Sequence, residues 1–246
     1  MISSGSPPVH DSDIVAFEAA LASFDASAFD AATVAAAARA WAERAQNEHA
    51  SVAAFDRFSL GLKAVGAPLE LLEASHLAAL DEIVHARLGF ALASTYAGSA
   101  LGPGPLPITG ALDAVASLSD LVRATITEGC VGETLAAIEV KAAIDTTTEP
   151  AARLALTIIA EDEARHSELA WSFVRWAVEV APDARGLARA TFDETLPHAA
   201  AAGSSGACYE QALLAFGFLS QADRLAERTR AVQAVLIPAA RALLEA

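Results

Sequence analysis

Apolar residues recur at intervals of three and four over long stretches of the chain, the spacing that places them on one face of an α-helix. The pattern predicts a first long helix that follows Asp30 as its capping residue and ends near Val65. Three more long helices are predicted from Leu69 to about Tyr96, from Ala111 or Ser117 to Ile144, and from Pro150 to about Val180. Gly and Pro lie mainly between these stretches, which favours helices over strands.

The connections between these predicted helices differ in length. Gly66 and Pro68 mark a tight connection after the first helix, and residues 145–149 form a short polar turn after the third, so each hairpin is expected to be antiparallel. The stretch from Gly98 to Gly110 is rich in Gly and Pro and, at about 3.1 Å per residue, can reach roughly 40 Å. That reach matches the length of the helices, so we expect an all-α, antiparallel four-helix bundle with one long crossover.

The helical pattern is weaker after Ala181. It predicts a short helix from Asp183 to Leu196, a loop from His198 to Gly206, and helices over Ala207–Leu219 and Gln221–Leu244, with Ser220 as a cap and Pro238 as a kink. We therefore expect an N-terminal extension over residues 1–29, a bundle over 30–182, and a C-terminal helical extension over 183–246 that packs on the bundle.

Two segments share the pattern Asp-Glu-x-x-His, at residues 81–85 and 162–166. Residues three apart lie on the same face of a helix, so each Glu and its His can direct an oxygen and a nitrogen to one point. A third Glu-x-x-His, from Glu73 to His76, lacks the Asp and lies nine residues before Glu82, which turns it to the opposite face. We expect that third pair to be solvated.

The two Asp-Glu-x-x-His segments are 81 residues apart, and Phe90 and Trp171 follow with the same offset. This repeat indicates two similar hairpins, so the helix before each motif should contribute a matching carboxylate. Glu48 is the candidate in the first hairpin. In the second, Glu128 lies 80 residues after Glu48 and Glu133 lies 85 after it, so the repeat favours Glu128. Glu133 is retained as an extra carboxylate or a base beside the site.

This arrangement resembles the ferritin-like di-iron carboxylate superfamily, in which two helices each contribute one Glu and two others each contribute Glu-x-x-His. The resemblance covers about residues 30–182. It implies six metal ligands, namely Glu48, Glu82, His85, Glu128, Glu163 and His166. By similarity to ribonucleotide reductase small subunits and acyl desaturases, Asp81 and Asp162 would support the ligating histidines through hydrogen bonds. His49 stands where a second acidic residue is usual and is a candidate for a similar supporting role.

The ligand types indicate the metal. Oxygen and imidazole ligands without thiolate suit iron or manganese better than a structural zinc site, so two iron ions are expected, with manganese as the alternative. Two divalent cations would also offset four carboxylates that are otherwise costly to bury. The competing interpretation is a buried ion-pair network without metal, formed with Arg44, Arg87, Arg123 or Arg165.

The composition of the chain limits the kinds of partner that it is expected to bind. The formal net charge of −15 argues against nucleic acid and against an anionic membrane surface, and no apolar run is long enough to span a bilayer. Met1–Asp13 lacks the basic start of a secretory signal, and two cysteines, Cys130 and Cys208, suit a reducing compartment, so we expect a cytoplasmic protein.

The resemblance implies an oxidoreductase that activates O2 or peroxide and oxidises a small organic molecule. It is compatible with an electron-donor protein as a partner and with assembly into a homo-oligomer. The alternative is a ferroxidase-type protein that binds or stores iron without an organic substrate.

Overall fold

The computed structural model of the chain describes residues 11–107, 109, 117–201 and 211–245, and every regular element in these ranges is helical. The α-helices of these ranges are α1 (Asp11–Ala22), α2 (Ala31–Ala64), α3 (Leu69–Ala97), α4 (Leu118–Ala124), α5 (Thr134–Thr146), α6 (Pro150–Val180), α7 (Pro182–Ala199), α8 (Gln221–Ala231) and α9 (Ile237–Glu245). A π-helical segment, Thr125–Glu133, joins α4 to α5, and a second, Val232–Leu236, joins α8 to α9. The predicted all-α fold class is confirmed.

Capping residues and proline explain the starts of several helices. The Asp30 side chain accepts a hydrogen bond from the first turn of α2, and Ser117 forms a reciprocal capping box at the start of α4. Pro150 occupies the first turn of α6, where its missing N–H is no loss, and Ser220 caps α8 as predicted. The alternative start of the third helix at Ala111 lies outside the described residues.

The long helices pack as antiparallel neighbours. In the first hairpin, Oγ of Ser59 on α2 lies 2.8 Å from Oγ of Ser75 on α3, while Ala45 packs against Gly89 nearer the other end. In the second hairpin, Oγ of Thr134 lies 2.7 Å from Oγ of Ser167. α3 and α6 also contact each other, so the two Asp-Glu-x-x-His segments meet in the interior of a helical bundle.

Small residues bring the paired helices close together. A Cβ placed on Gly89 would lie 2.8 Å from the Cβ of Ala45, and one placed on Gly129 would lie 2.6 Å from the Cβ of Ala170. Gly89 and Ala170 are 81 residues apart, the offset of the sequence repeat. Each hairpin thus has one glycine–alanine contact near the motif, and the close approach allows short side chains to meet across the helices.

The C-terminal helices pack on the long helices. α7 contacts α4 and the π-helical segment Thr125–Glu133, and α8 contacts α5. The chain from α8 to α9 is irregular at Val232–Leu236, immediately before Pro238, where a kink is predicted. Only a 3₁₀ turn, Gln211–Phe216, occupies the described part of the predicted helix Ala207–Leu219.

Other expectations meet the structure only in part. The helix α1, which packs against α6 through Phe17 and its neighbours, was not predicted within the N-terminal extension. Cys130 is free and buried in the core, while Cys208 and residues 1–10 lie outside the described residues. The three-part domain division stays a prediction. None of the helices in the described ranges is long and apolar enough to cross a bilayer.

Candidate metal centre

The two Asp-Glu-x-x-His motifs face each other across the contact between α3 and α6, and all six of their acidic and histidine side chains are buried. Two groups of side chains offer ligand atoms close enough to share an ion. The first group contains Glu48, Glu82, His85 and Glu163, and the second contains Glu133, Glu163 and His166. Glu163 belongs to both, so the described residues form one continuous cluster that could hold metal.

Each aspartate supports the histidine of the opposite motif. Nε2 of His85 lies 2.9 Å from Oδ2 of Asp162, and Nε2 of His166 lies 3.4 Å from Oδ2 of Asp81. An ionised carboxylate only accepts hydrogen bonds, so each Nε2 carries the hydrogen that it donates. The other ring nitrogen, Nδ1, is thereby directed into the cluster, where it can bind a cation once it has released its own proton.

Glu82 and Glu163 each reach both histidines. One oxygen of Glu82 lies 3.6 Å from Nδ1 of His85, and the other lies 3.3 Å from Nδ1 of His166. Glu163 repeats this arrangement at 3.8 Å and 3.7 Å. Each of these two carboxylates directs one oxygen toward His85 and the other toward His166, so the pair has the geometry needed to hold two ions.

One further glutamate lies at each side of the cluster. Oε2 of Glu48 on α2 lies 3.9 Å from Nδ1 of His85. Glu133, the last residue of the π-helical segment, is grouped with Glu163 and His166 on the other side. The cluster is therefore nearly symmetric, with one histidine and one single-sided glutamate at each end.

The structure does not bring Glu128 into this cluster, which corrects the choice that the sequence repeat favoured. Its side chain is 62% exposed, and its Oε2 lies 3.2 Å from Nη2 of Arg57. The spacing in the second hairpin differs from that in the first: Glu48 follows the close-packed Ala45 by three residues, whereas Glu133 follows the close-packed Gly129 by four and Glu128 precedes it by one. Because turns of the π-helical segment Thr125–Glu133 hold more residues than α-helical turns, its positions cannot be matched to those of α2 by a fixed offset.

Several buried atoms of the cluster have no hydrogen-bond partner in the described structure. They are Nδ1 of His85, Nδ1 of His166, Oε2 of Glu82 and Oε2 of Glu163. Leaving a buried polar atom unsatisfied costs about 1–3 kcal/mol, and more for a charged group. All four atoms are of the types that bind iron and manganese, so the residues present fit a dinuclear metal site.

The glutamates respond differently to this environment when no metal is bound. Burial, and then the charges of Glu163 and Glu82, raises the pKa of Glu48 to about 8. Burial and the neighbouring Glu163 likewise raise the pKa of Glu133 well above its ordinary value. Burial also acts to raise the pKa of Glu82, but the two nearby histidines outweigh it and hold this pKa at about 2.

Both histidines favour the protonated form in the metal-free cluster. Burial alone would lower their pKa values, but the hydrogen bonds with the facing aspartates and the negative charges of the nearby glutamates have the larger combined effect. The pKa of His85 is raised to about 10, and that of His166 is raised well above its usual range. Protons therefore occupy the sites that a cation would take.

Arg165 connects the two supporting aspartates. Its Nη2 lies 3.1 Å from Oδ2 of Asp81 and also donates to Oδ1 of Asp162. An arginine ion-pair network of the kind considered from the sequence therefore exists, but among the described residues Arg165 pairs with the two aspartates and not with the glutamates of the cluster. Arg87 and Arg123 are exposed and take no part.

The remaining candidates lie at or beyond the edge of the cluster. His49 is half-buried beside Glu48 but belongs to neither ligand group of the described residues. Glu73 and His76 are exposed, as expected for a solvated pair. Sequence reasoning missed Phe55, whose ring packs edge-on against the His166 imidazole with ring centroids 5.0 Å apart. Its position seven residues after Glu48, about two helical turns, was an available signal.

A cavity of about 450 Å³ opens beside one end of the cluster. It lies between α2, α4 with the following π-helical segment, and α6, and its walls are mainly apolar. Glu133 and His166 are among its lining residues, whereas Glu48 and His85 are not. The cluster is thus open to the cavity on one side only among the described residues.

No protein-family model, no curated protein and no solved structure matches the chain. Function must therefore be inferred from the side chains of the cluster and the cavity.

Proposed function

We propose that the chain is a ferritin-like oxidoreductase that binds two iron ions, with manganese as the alternative, and uses O2 or peroxide to oxidise a small organic molecule. The observation that carries the proposal is the pair Glu82 and Glu163, each of which directs one oxygen to each histidine. The antiparallel hairpins and the long connection after α3 support the ferritin-like assignment.

The ligand roles follow from the positions of the side chains. Glu82 and Glu163 would each contribute one oxygen to the His85 side and one to the His166 side, and Nδ1 of one histidine and one further glutamate would complete the protein ligands on each side. Glu48 would serve the His85 side and Glu133 the His166 side. Asp81 and Asp162 would fix the imidazoles from behind and increase their basicity.

Charge balance favours two divalent cations over one. The cluster and its supports contain six carboxylates, namely Glu48, Glu82, Glu133, Glu163, Asp81 and Asp162. Arg165 contacts both aspartates, and Arg44 lies close enough to act on Glu48. Two divalent cations together with these two guanidinium groups balance the six negative charges, which reduces the cost of burying them.

The bound ions would supply electrons for the reduction of O2 or peroxide when they are in the reduced state. The protein's own contribution is to position the candidate metal ligands and to shield them from water. Arg165 holds the aspartates, the aspartates hold the imidazoles, and the apolar cavity limits the access of water to the Glu133 side. A raised pKa lets Glu133 hold a proton beside the cavity when it is not bound to metal.

The cavity favours oxidation of an organic substrate over the alternative of iron binding or storage. A pathway for iron ions is expected to carry acidic or other polar ligands along its whole length, whereas in this cavity Asp120, Glu128 and Glu133 lie among walls that are mainly apolar. The formal charge of −15 also argues against a tRNA substrate. An electron-donor protein and a homo-oligomeric assembly remain part of the proposal.

The proposal is tested by oxygen uptake. The full chain is loaded anaerobically with Fe²⁺, cleared of free metal and mixed with aerated buffer in an oxygen-electrode cell, and a parallel sample with Mn²⁺ receives hydrogen peroxide. We expect consumption of O2 or peroxide in proportion to bound metal, and none in a Glu82→Gln/Glu163→Gln variant. Metal-loaded protein that consumes neither oxidant would refute the proposal, and oxidation of many added Fe²⁺ equivalents with product retained would favour iron storage.

A further inference from the structure

In the part of the chain that the structure describes, the cavity reaches only one side of the cluster. Its inner end is formed by Glu133 and His166, and its outer end by Arg57 and Glu128. A molecule bound in it would approach the ions from the His166 side, whereas the Glu48 side is not part of the lining. Its volume of about 450 Å³ lies within the range of small-molecule pockets, roughly 300–1,000 Å³.

The walls between these two ends are apolar and partly aromatic. They include Phe55, Phe58, Leu121 and Leu169, together with small residues that leave the space open. Because the Phe55 ring also packs against the His166 imidazole, a molecule touching this ring lies close to a candidate metal ligand. Such walls favour the burial of apolar surface and offer few hydrogen bonds to a polar ligand.

The charges at the outer end disfavour an anionic ligand. Arg57 is already paired with Glu128 at 3.2 Å, and Asp120 adds a second carboxylate to the lining. A bound anion would have to break this pair and approach Asp120. A bound cation would have to be desolvated among apolar walls and to lie near the metal ions at the inner end. A neutral molecule meets neither obstacle.

The Arg57–Glu128 pair does not block entry. Both side chains are more than half exposed, at 53% and 62%, and exposed ion pairs contribute little to stability. Separation of the pair therefore costs little, and Glu128 gains a role at the entrance in place of the ligand role that the sequence suggested.

We infer that this cavity binds a small, neutral, largely apolar organic molecule and presents it to the Glu133–His166 side of the centre. The inference rests on the proposed function, because it identifies the class of substrate for that function.

The test uses three molecules of matched size and different charge: 4-fluorotoluene, 4-fluorobenzoate and 4-fluorobenzylamine. Each is titrated into the full chain and followed by ¹⁹F NMR. We expect 4-fluorotoluene to bind at least about tenfold more tightly than either charged molecule. We also expect its ¹⁹F relaxation to be faster in Mn²⁺-loaded protein than in Zn²⁺-loaded protein, since a paramagnetic ion acts only on nearby nuclei.

Matched variants locate the binding site. Ala124 lines the cavity and Ala50 is an exposed residue of α2 outside it, so Ala124→Phe should weaken binding of 4-fluorotoluene by about tenfold and Ala50→Phe should leave it unchanged. If a thermal unfolding experiment shows that the Ala124→Phe variant is not folded, Ala54→Phe, at the exposed rim of the cavity, takes its place.

The outcomes separate the two proposals. Three results would each overturn the inference. They are tighter binding of 4-fluorobenzoate than of 4-fluorotoluene, binding of 4-fluorotoluene to the Ala124→Phe variant as tight as to the native chain, and ¹⁹F relaxation that is the same with Mn²⁺ as with Zn²⁺. A chain that takes up no metal would contradict the proposed function alone. The titration of 4-fluorotoluene into metal-free protein would then decide the inference about the occupant, with binding supporting it and absence of binding overturning it.

Discussion

At the scale of single residues, the orientation of the two histidines explains why the cluster suits cations. Asp162 and Asp81 accept hydrogen bonds from Nε2 of His85 and His166, so both Nδ1 atoms face the glutamates. Each histidine thus bonds to the aspartate of the other motif, and in both motifs that aspartate directly precedes the Glu. The sequence resemblance suggested such a supporting role, but the exchange between helices depends on the contact between α3 and α6.

Removing one supporting charge should weaken metal binding without unfolding the protein. For Asp162→Asn we expect the dissociation constant of the bound metal to rise about 10- to 100-fold, because the imidazole loses a partner that increases its basicity and fixes its ring. The measurement is competition with a chromophoric chelator. Asp56→Asn, at an exposed position of α2, is the matched control and should leave the constant unchanged. Equal constants in the native chain and the Asp162 variant would contradict this role.

Exchanging the two competing glutamates tests which one is the ligand. Glu133→Gln should reduce the metal retained per chain after gel filtration, because a half-buried candidate ligand on the His166 side is lost. Glu128→Gln should leave metal retention unchanged, because it removes only an exposed ion pair with Arg57. The reverse result would restore the sequence-based choice.

At the scale of secondary-structure elements, the sequence predicts the long helices well and the π-helical segment not at all. Asp30, Pro150 and Ser220 mark helix starts because capping and proline preferences act locally. The widened turns of Thr125–Glu133 have no comparable local signal, and the sequence repeat favoured Glu128 there, which the structure places outside the cluster. Helix α1 was missed because a polar, Pro-containing start obscured a short apolar pattern.

Substitution of glycine by alanine tests how closely the helices have to pack. Gly129→Ala should destabilise the protein by about 1–3 kcal/mol, because the new Cβ would lie 2.6 Å from the Cβ of Ala170. Gly186 lies within α7 with nothing within 4 Å of a Cβ, so Gly186→Ala should stabilise it by about 0.4–1 kcal/mol. Urea unfolding of both variants measures the two effects. A stable Gly129→Ala variant would show that the two helices can separate at little cost.

At the scale of the whole molecule, the protons held by the cluster link metal binding to pH. The pKa of about 10 for His85 and about 8 for Glu48 means that both hold protons near neutral pH when metal is absent. Metal must displace these protons, so metal affinity should rise as the pH increases from about 6 to 9. Calorimetric titration in two buffers with different ionisation enthalpies measures the protons released. Affinity that falls or stays constant over this range would contradict the raised pKa values.

The most direct test of the central claim is the metal content of the purified chain. The native protein and the Glu82→Gln/Glu163→Gln variant are produced in medium supplemented with iron and manganese and analysed by inductively coupled plasma mass spectrometry. The account predicts about two ions per native chain and a loss of both in the variant, with the helical fold retained by circular dichroism. A native chain that contains neither metal, and that is no more stable to heat with added Fe²⁺ or Mn²⁺ than without, would contradict it.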